Sequence, residues 1–228
     1  MTAAGSGALE GAVDGVFFDL DGTLVDSAPD LVVAMGRLRA ELGEPAVDVS
    51  AIGQVVSKGG RAMLRRGFPG AGEARIDQLL PRFLDLYADA IATHTRTYPG
   101  IDDLLLALEA RGIRWGVVTN KPGRLARALL AAIELDRRCA ALVSGDCLPL
   151  RKPDPAPLLH ACALAGVESA RSVYVGDDAR DIEAGQRAGM RTIAAGWGYL
   201  DGDDASLWGA DRVVATPIDM PRVLGIAA

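Results

Sequence analysis

Residues 13–27 read VDGVFFDLDGTLVDS, and this stretch decides the fold. The apolar half, rich in Val and Phe, ends abruptly at Asp-Gly-Thr. That pattern predicts a buried strand delivering a polar loop. Similar runs recur downstream: residues 115–118 before Thr119-Asn120, 141–143 before Ser144-Gly145-Asp146, and 172–175 before Gly176-Asp177-Asp178. Residues 192–195 precede Gly196-Trp197-Gly198, and Val213-Val214 fit a last short strand. Helical patterns fill the gaps at 101–110, 124–132, 156–165 and 178–188, most closing near a glycine (Gly112, Gly166, Gly189). Strand alternating with helix predicts an α/β fold, a doubly wound parallel sheet covered on both faces. In such sheets ligands bind at the carboxyl ends of the strands, where the polar residues just named fall.

Residues 28–97 break the rhythm. They read as helices without strands, at 28–42, 49–56, 60–66 and 73–93, before Tyr98-Pro99-Gly100 restores the alternation. The expected organisation is a core of 13–27 and 98–228, a small helical insertion of 28–97 placed over the strand ends, and an N-terminal tail of 1–12.

Composition narrows the function. The chain has 228 residues, half of them apolar and 24% charged, with a formal net charge of -6. An acidic chain without clustered Lys and Arg argues against nucleic-acid binding. Three cysteines, Cys139, Cys147 and Cys162, make no CxxC pair, and two histidines, His94 and His160, supply no zinc spacing. The odd cysteine count suits a reducing cytoplasm. The N-terminus lacks the basic and apolar regions of a signal peptide, and no apolar run approaches the ~20 residues that cross a bilayer. A cytoplasmic protein with no membrane partner is expected. Oligomeric state is not legible.

Four polar clusters stand at four expected strand ends. In Asp19-Leu20-Asp21-Gly22-Thr23 two carboxylates two residues apart can share a metal and a reacting group, and Gly22 lets the backbone turn sharply beside an anion. Thr119-Asn120-Lys121 offers a hydroxyl and an amide, although such pairs often only cap a helix. Arg151-Lys152-Pro153 presents an ammonium from a stiff turn; alone, Lys152 would read as a surface charge. Gly176-Asp177-Asp178-Ala179-Arg180-Asp181 suits a hard cation, or merely a helix N-terminus. The ordered set is more specific than any member.

These clusters resemble the four motifs of the haloacid dehalogenase-like hydrolase superfamily, here DLDGT, VTN, RKP and GDDARD, and the insertion resembles its small helical cap over a Rossmann-like core. The resemblance implies a Mg²⁺-dependent phosphatase acting on a small-molecule phosphomonoester. Asp19 would be the nucleophile forming an aspartyl-phosphate, and Asp21 the general acid and base. Thr119, the amide of Asn120 and Lys152 would hold the phosphoryl oxygens. Asp19, the carbonyl of Asp21 and Asp177 would bind the metal, with Asp178 and Asp181 orienting its waters or Lys152. Dehalogenases and phosphonatases of the superfamily lack an acid at the position of Asp21, so the resemblance points to phosphate esters.

For the substrate, Ser57-Lys58-Gly59-Gly60-Arg61 stands where relatives carry a selecting loop, so Lys58, Gly59, Gly60 and Arg61 are the expected contacts; His94 and Arg96 are weaker candidates. The chain is similar to bacterial phosphoglycolate phosphatases and to a subgroup that hydrolyses N-acetylmuramic acid 6-phosphate in cell-wall recycling. Both substrates carry a carboxylate, and the choice stays open. A phosphosugar mutase and a non-catalytic module of the same fold are the alternatives.

Overall fold

A computed structural model describes residues 9, 11–46 and 48–227, without the side chains of residues 49 and 50. The chain opens with β1 (Gly15–Phe18) and β2 (Val25–Asp26). The helices α1 (Ala28–Glu41), α2 (Val49–Gly53), α3 (Gly60–Gly67) and α4 (Glu73–Ala88) follow, before β3 (Arg96–Thr97). It then alternates through α5 (Ile101–Ala110), β4 (Arg114–Val118), α6 (Gly123–Ala132), β5 (Ala141–Val143) and α7 (Ala156–Ala165). β6 (Ser172–Gly176), α8 (Ala179–Arg187), β7 (Arg191–Ala195), β8 (Arg212–Val214) and α9 (Met220–Val223) complete it.

Six strands form one parallel sheet in the order β5-β4-β1-β6-β7-β8. This is the expected α/β architecture. The strands are near-continuous apolar runs because both faces are covered. Val16, Phe18, Trp115, Val117, Val173 and Val175 face α5 and α6, while Phe17, Val118 and Tyr174 face α7 and α8. Phe18 lies opposite both Val117 and Val175, so the residues that leave β1, β4 and β6 emerge together at one edge.

β2 and β3 pair antiparallel and join the helical insert to the sheet. The insert has its own core, in which Leu31, Met35, Met63, Phe83, Leu86 and Tyr87 pack together. Leu125 of α6 belongs to the same cluster, so the insert is seated on the sheet's helices. The pattern predicts a helix over 73–93, but α4 ends at Ala88. Buried Asp30 of α1 takes the His94 and Thr95 amides, both at 2.9 Å, and this pulls the chain out of the helix toward β3.

Residues 1–8 and 10 of the expected tail lie outside the described residues. Leu9 is buried, and its amide donates to Val223 O at 2.7 Å, so the chain is already docked on α9 at that point.

Candidate active site

The first polar cluster begins as β1 ends. The Asp19 amide still bonds Val175 O (2.9 Å), which fixes the residue at the sheet edge, and its side chain is buried. Gly22 then takes φ +86°, and a Cβ there would strike the Asp177 carboxylate. This is the close approach that requires glycine. Thr23 Oγ1 donates to Asp177 Oδ1 (2.9 Å), tying the first cluster to the fourth.

Lys152 is the hub. Its buried ammonium lies 2.9 Å from Asp19 Oδ1 and 2.7 Å from Asp181 Oδ1, and it donates to Tyr174 Oη at 2.8 Å. Tyr174 in turn donates to Val118 O (2.7 Å), so β4 and β6 both anchor it. The Asn120 side chain holds the Lys152 main chain from both sides: Nδ2 donates to Lys152 O (3.1 Å), and Lys152 N donates to Asn120 Oδ1 (3.2 Å). Burial opposes the charge on Lys152, yet the Asp181 and Asp19 carboxylates outweigh it and raise its pKa.

Asp177 accepts from the Tyr199 amide (2.8 Å) and from Ser57 Oγ (2.6 Å). Burial, and then the charges of Asp19 and Asp181, push it up to about 8. Asp181 is raised by burial too, against the pull of Lys152. Asp178 caps α8: its carboxylate accepts from Arg180 N and Arg180 Nε, and Asp181 closes the capping box.

The carboxylate oxygens of Asp19, Asp177 and Asp181 lie within 4.8 Å of one another, all three residues buried. Asp19 Oδ1 makes no hydrogen bond of good geometry, although Lys152 lies near it. Three crowded acids with one cation leave an excess of negative charge, and an all-oxygen donor set suits Mg²⁺. The Asp21 carboxylate is not in this cluster; it turns to Ser27 and Lys121. Its main-chain carbonyl does face the cluster, sharing the Ser57 hydroxyl (3.2 Å) with Asp177. The residues therefore fit a divalent ion.

In the folded, metal-free protein Asp177 holds its proton up to about pH 8, whereas its ordinary value is 3.8. Between those values the folded state binds more protons than the unfolded state, so stability should fall as pH rises. The slope should be on the order of 1 kcal/mol per pH unit. Mg²⁺ should then raise Tm more at about pH 8 than at about pH 5 by differential scanning; equal shifts at both would contradict it.

A cavity of about 110 Å³ opens above the acids, lined by Asp19, Asp21, Thr119, Asn120, Lys152 and Asp181 from the sheet side. Ser57, Lys58, Gly59 and Gly60 line it from the insert. The expected contacts of the insert divide. Gly59 and Gly60 border the cavity, whereas Lys58 Nζ is bonded to Asp201 (2.9 Å) and Asp203 (3.4 Å) at the surface. Arg61 pairs with Asp77 and does not line the cavity, and His94 and Arg96 are exposed away from it. The sequence reading gave no role to Lys121, Tyr87, Ser57 or Tyr199. Lys121 and Ser57 stood inside clusters already singled out, but nothing local in the sequence marks Tyr87 or Tyr199.

Residues 16–195 match the family model described as Haloacid dehalogenase-like hydrolase, and the chain belongs to that family. Within it, the chain is 45% identical over 203 residues to the phosphoglycolate phosphatase of Xanthomonas campestris pv. campestris (strain 8004), covering 89% of this chain and 92% of that one. It is 42% identical over 211 residues to the N-acetylmuramic acid 6-phosphate phosphatase of Pseudomonas aeruginosa, covering 92% and 93%. A crystal structure of a predicted phosphoglycolate phosphatase from Haemophilus somnus 129pt superposes with a TM-score of 0.82 at 26% identity, covering 91% and 96%.

Proposed function

We propose that this hydrolase is a Mg²⁺-dependent phosphatase that cleaves a small, carboxylate-bearing phosphomonoester of the phosphoglycolate type through an aspartyl-phosphate on Asp19. The observation that carries the reading is the buried Asp19 carboxylate, with the Lys152 ammonium 2.9 Å away and two further acids beside it, at the floor of a cavity. An Asp19 oxygen attacks phosphorus as the bond to the leaving oxygen breaks. Asp21 gives that oxygen a proton, and later takes one from the water that attacks the phosphoryl group and frees phosphate. Thr119, the Asn120 amide and Lys152 hold the phosphoryl oxygens as charge builds on them. Asp19, the Asp21 carbonyl and Asp177 would hold the ion, whose positive charge would let an anionic nucleophile meet an anionic ester. Asp181 and Asp178 keep Lys152 and α8 in place.

We also propose that residues 28–97 act as a cap over a catalytic core of 13–27 and 98–228, excluding water when closed. Among the described residues no helix is long and apolar enough to cross a membrane. We place its work in the cytoplasm, a reducing compartment that suits its three free cysteines.

Size favours the smaller substrate. A cavity of about 110 Å³ is below the roughly 150 Å³ that encloses benzene, so the closed site suits a leaving group of a few atoms. The Pseudomonas aeruginosa relative supports a second reading, N-acetylmuramic acid 6-phosphate, which needs the insert to stand open.

Phosphate release with Mg²⁺ should be measured on phosphoglycolate, N-acetylmuramic acid 6-phosphate and glucose 6-phosphate. Phosphoglycolate should show the highest kcat/KM, by at least about tenfold, a margin within reach of one well-placed charge contact. A winning sugar acid selects the second reading. Release without any bisphosphate activator excludes a mutase, and no release from any ester overturns the proposal.

A further inference from the structure

Four cations line the cavity, and three have an evident task. Lys58 is held by Asp201 and Asp203. Arg180 is held by Asp178 and donates to Ser57 O (2.9 Å). Lys152 spans Asp19 and Asp181. The fourth, Lys121, has a side chain only 6% exposed, and its ammonium donates to both oxygens of Asp21, at 2.8 and 3.0 Å. Ser27 Oγ already donates to Asp21 Oδ1 (2.5 Å), so that carboxylate keeps a partner if Lys121 turns away.

The ammonium also stands 4.4 Å from the centre of the Tyr87 ring, which α4 brings down from the insert. Tyr87 is fully buried and lines the cavity; among the described residues its hydroxyl makes no hydrogen bond of good geometry, and the Lys121 ammonium is the charge that bears on it. A buried hydroxyl is normally paired, so one on a cavity wall is placed to bond a group that enters the cavity. The apolar lining includes Leu31, Val56, Met63 and Phe83, and Tyr87 and Lys121 add polar groups to it.

We propose that Lys121 and Tyr87 form a subsite for a carboxylate carried one carbon from the leaving oxygen. The inference rests on the proposed function, in which Asp21 touches that oxygen. A cation bonded to Asp21 is therefore beside the first atoms of the leaving group. On binding, Lys121 swings from Asp21 to the substrate carboxylate, and the Tyr87 hydroxyl donates to the same group. One donor comes from the sheet side and one from the insert, so the carboxylate bridges the two and holds the insert closed. A carboxylate placed farther out, on the far side of a sugar ring, does not reach this pair.

Two measurements test this. Calorimetric binding to the Mg²⁺-loaded protein compares 3-phosphonopropionate with propylphosphonate, which differ only in carboxylate against methyl. In parallel, kcat/KM is compared for phosphoglycolate and ethyl phosphate. The wild type should prefer the carboxylate ligand by on the order of 100-fold and the carboxylate ester by on the order of 1,000-fold. Lys121→Gln should bring both ratios to within about tenfold of unity, and Tyr87→Phe, which keeps the ring, should lower them about threefold to tenfold. Equal binding of the two phosphonates by the wild type overturns the subsite even if the lysine variant fails to fold. So does discrimination that survives in both variants. If neither ester turns over but the phosphonate preference is present and lost in Lys121→Gln, the subsite stands and the phosphatase reading falls.

Discussion

Asp19→Asn should reduce phosphate release by at least about 10⁴-fold, because an amide has no anionic oxygen to attack phosphorus. The fold should survive. Asp19, Asp177 and Asp181 are crowded buried acids, and removing one charge relieves repulsion that adds to burial in pushing the Asp177 pKa up to about 8. Tm of the metal-free variant should therefore equal or exceed that of the wild type, while the Tm rise on adding Mg²⁺ shrinks. Activity within tenfold of the wild type would refute Asp19 as the nucleophile. A large loss of Tm would mean that Lys152, left facing Asp181 alone, needs Asp19 to stay buried.

The second large effect is expected at Asp21. Asparagine there keeps the main-chain carbonyl and can still accept from Ser27 and Lys121, so the loop geometry should hold. What is lost is the proton. On phosphoglycolate, whose leaving alkoxide needs protonation, kcat/KM should fall on the order of 10³-fold. On 4-nitrophenyl phosphate the leaving group needs no proton, so Asp19 is still phosphorylated, but no base remains to activate the water. A burst of one nitrophenolate per enzyme followed by slow turnover is the expected trace. Equal losses on both esters, with no burst, would remove Asp21 from both proton transfers.

The parts of the site that were legible in sequence share a physical origin. A parallel strand buried on both faces must be an apolar run, and it must stop where the chain turns polar. Asp19, Thr119 and Asp177 could therefore be assigned to one sheet edge without coordinates, and β1, β4 and β6 stand adjacent there. Gly22 was legible for the same reason, since a sharp turn between two acids leaves no room for a side chain.

The insert was less legible. Lys58 and Arg61 read as substrate contacts because they stand where relatives carry a substrate-selecting loop. In the structure they pair with Asp201 and Asp77, 143 and 16 residues away along the chain, and no local pattern announces such pairing. Tyr87 sits on the buried face of α4 beside Phe83 and Leu86, so its spacing reads as core packing. Only the fold shows that this residue lines the cavity beside the Lys121 ammonium. Asn120 is a milder case: the family resemblance implies that its amide holds phosphate, and the structure adds that its side chain braces the Lys152 main chain.

The covalent step at residue 19 is most directly tested by trapping. Wild-type protein with Mg²⁺ and phosphoglycolate is quenched in acid during turnover, reduced with borohydride and digested for peptide mass analysis. An aspartyl-phosphate is reduced to homoserine, so position 19 should carry homoserine only when substrate was present. Steady phosphate release with an unreduced Asp19, or with the reduced residue elsewhere in the chain, would contradict the mechanism.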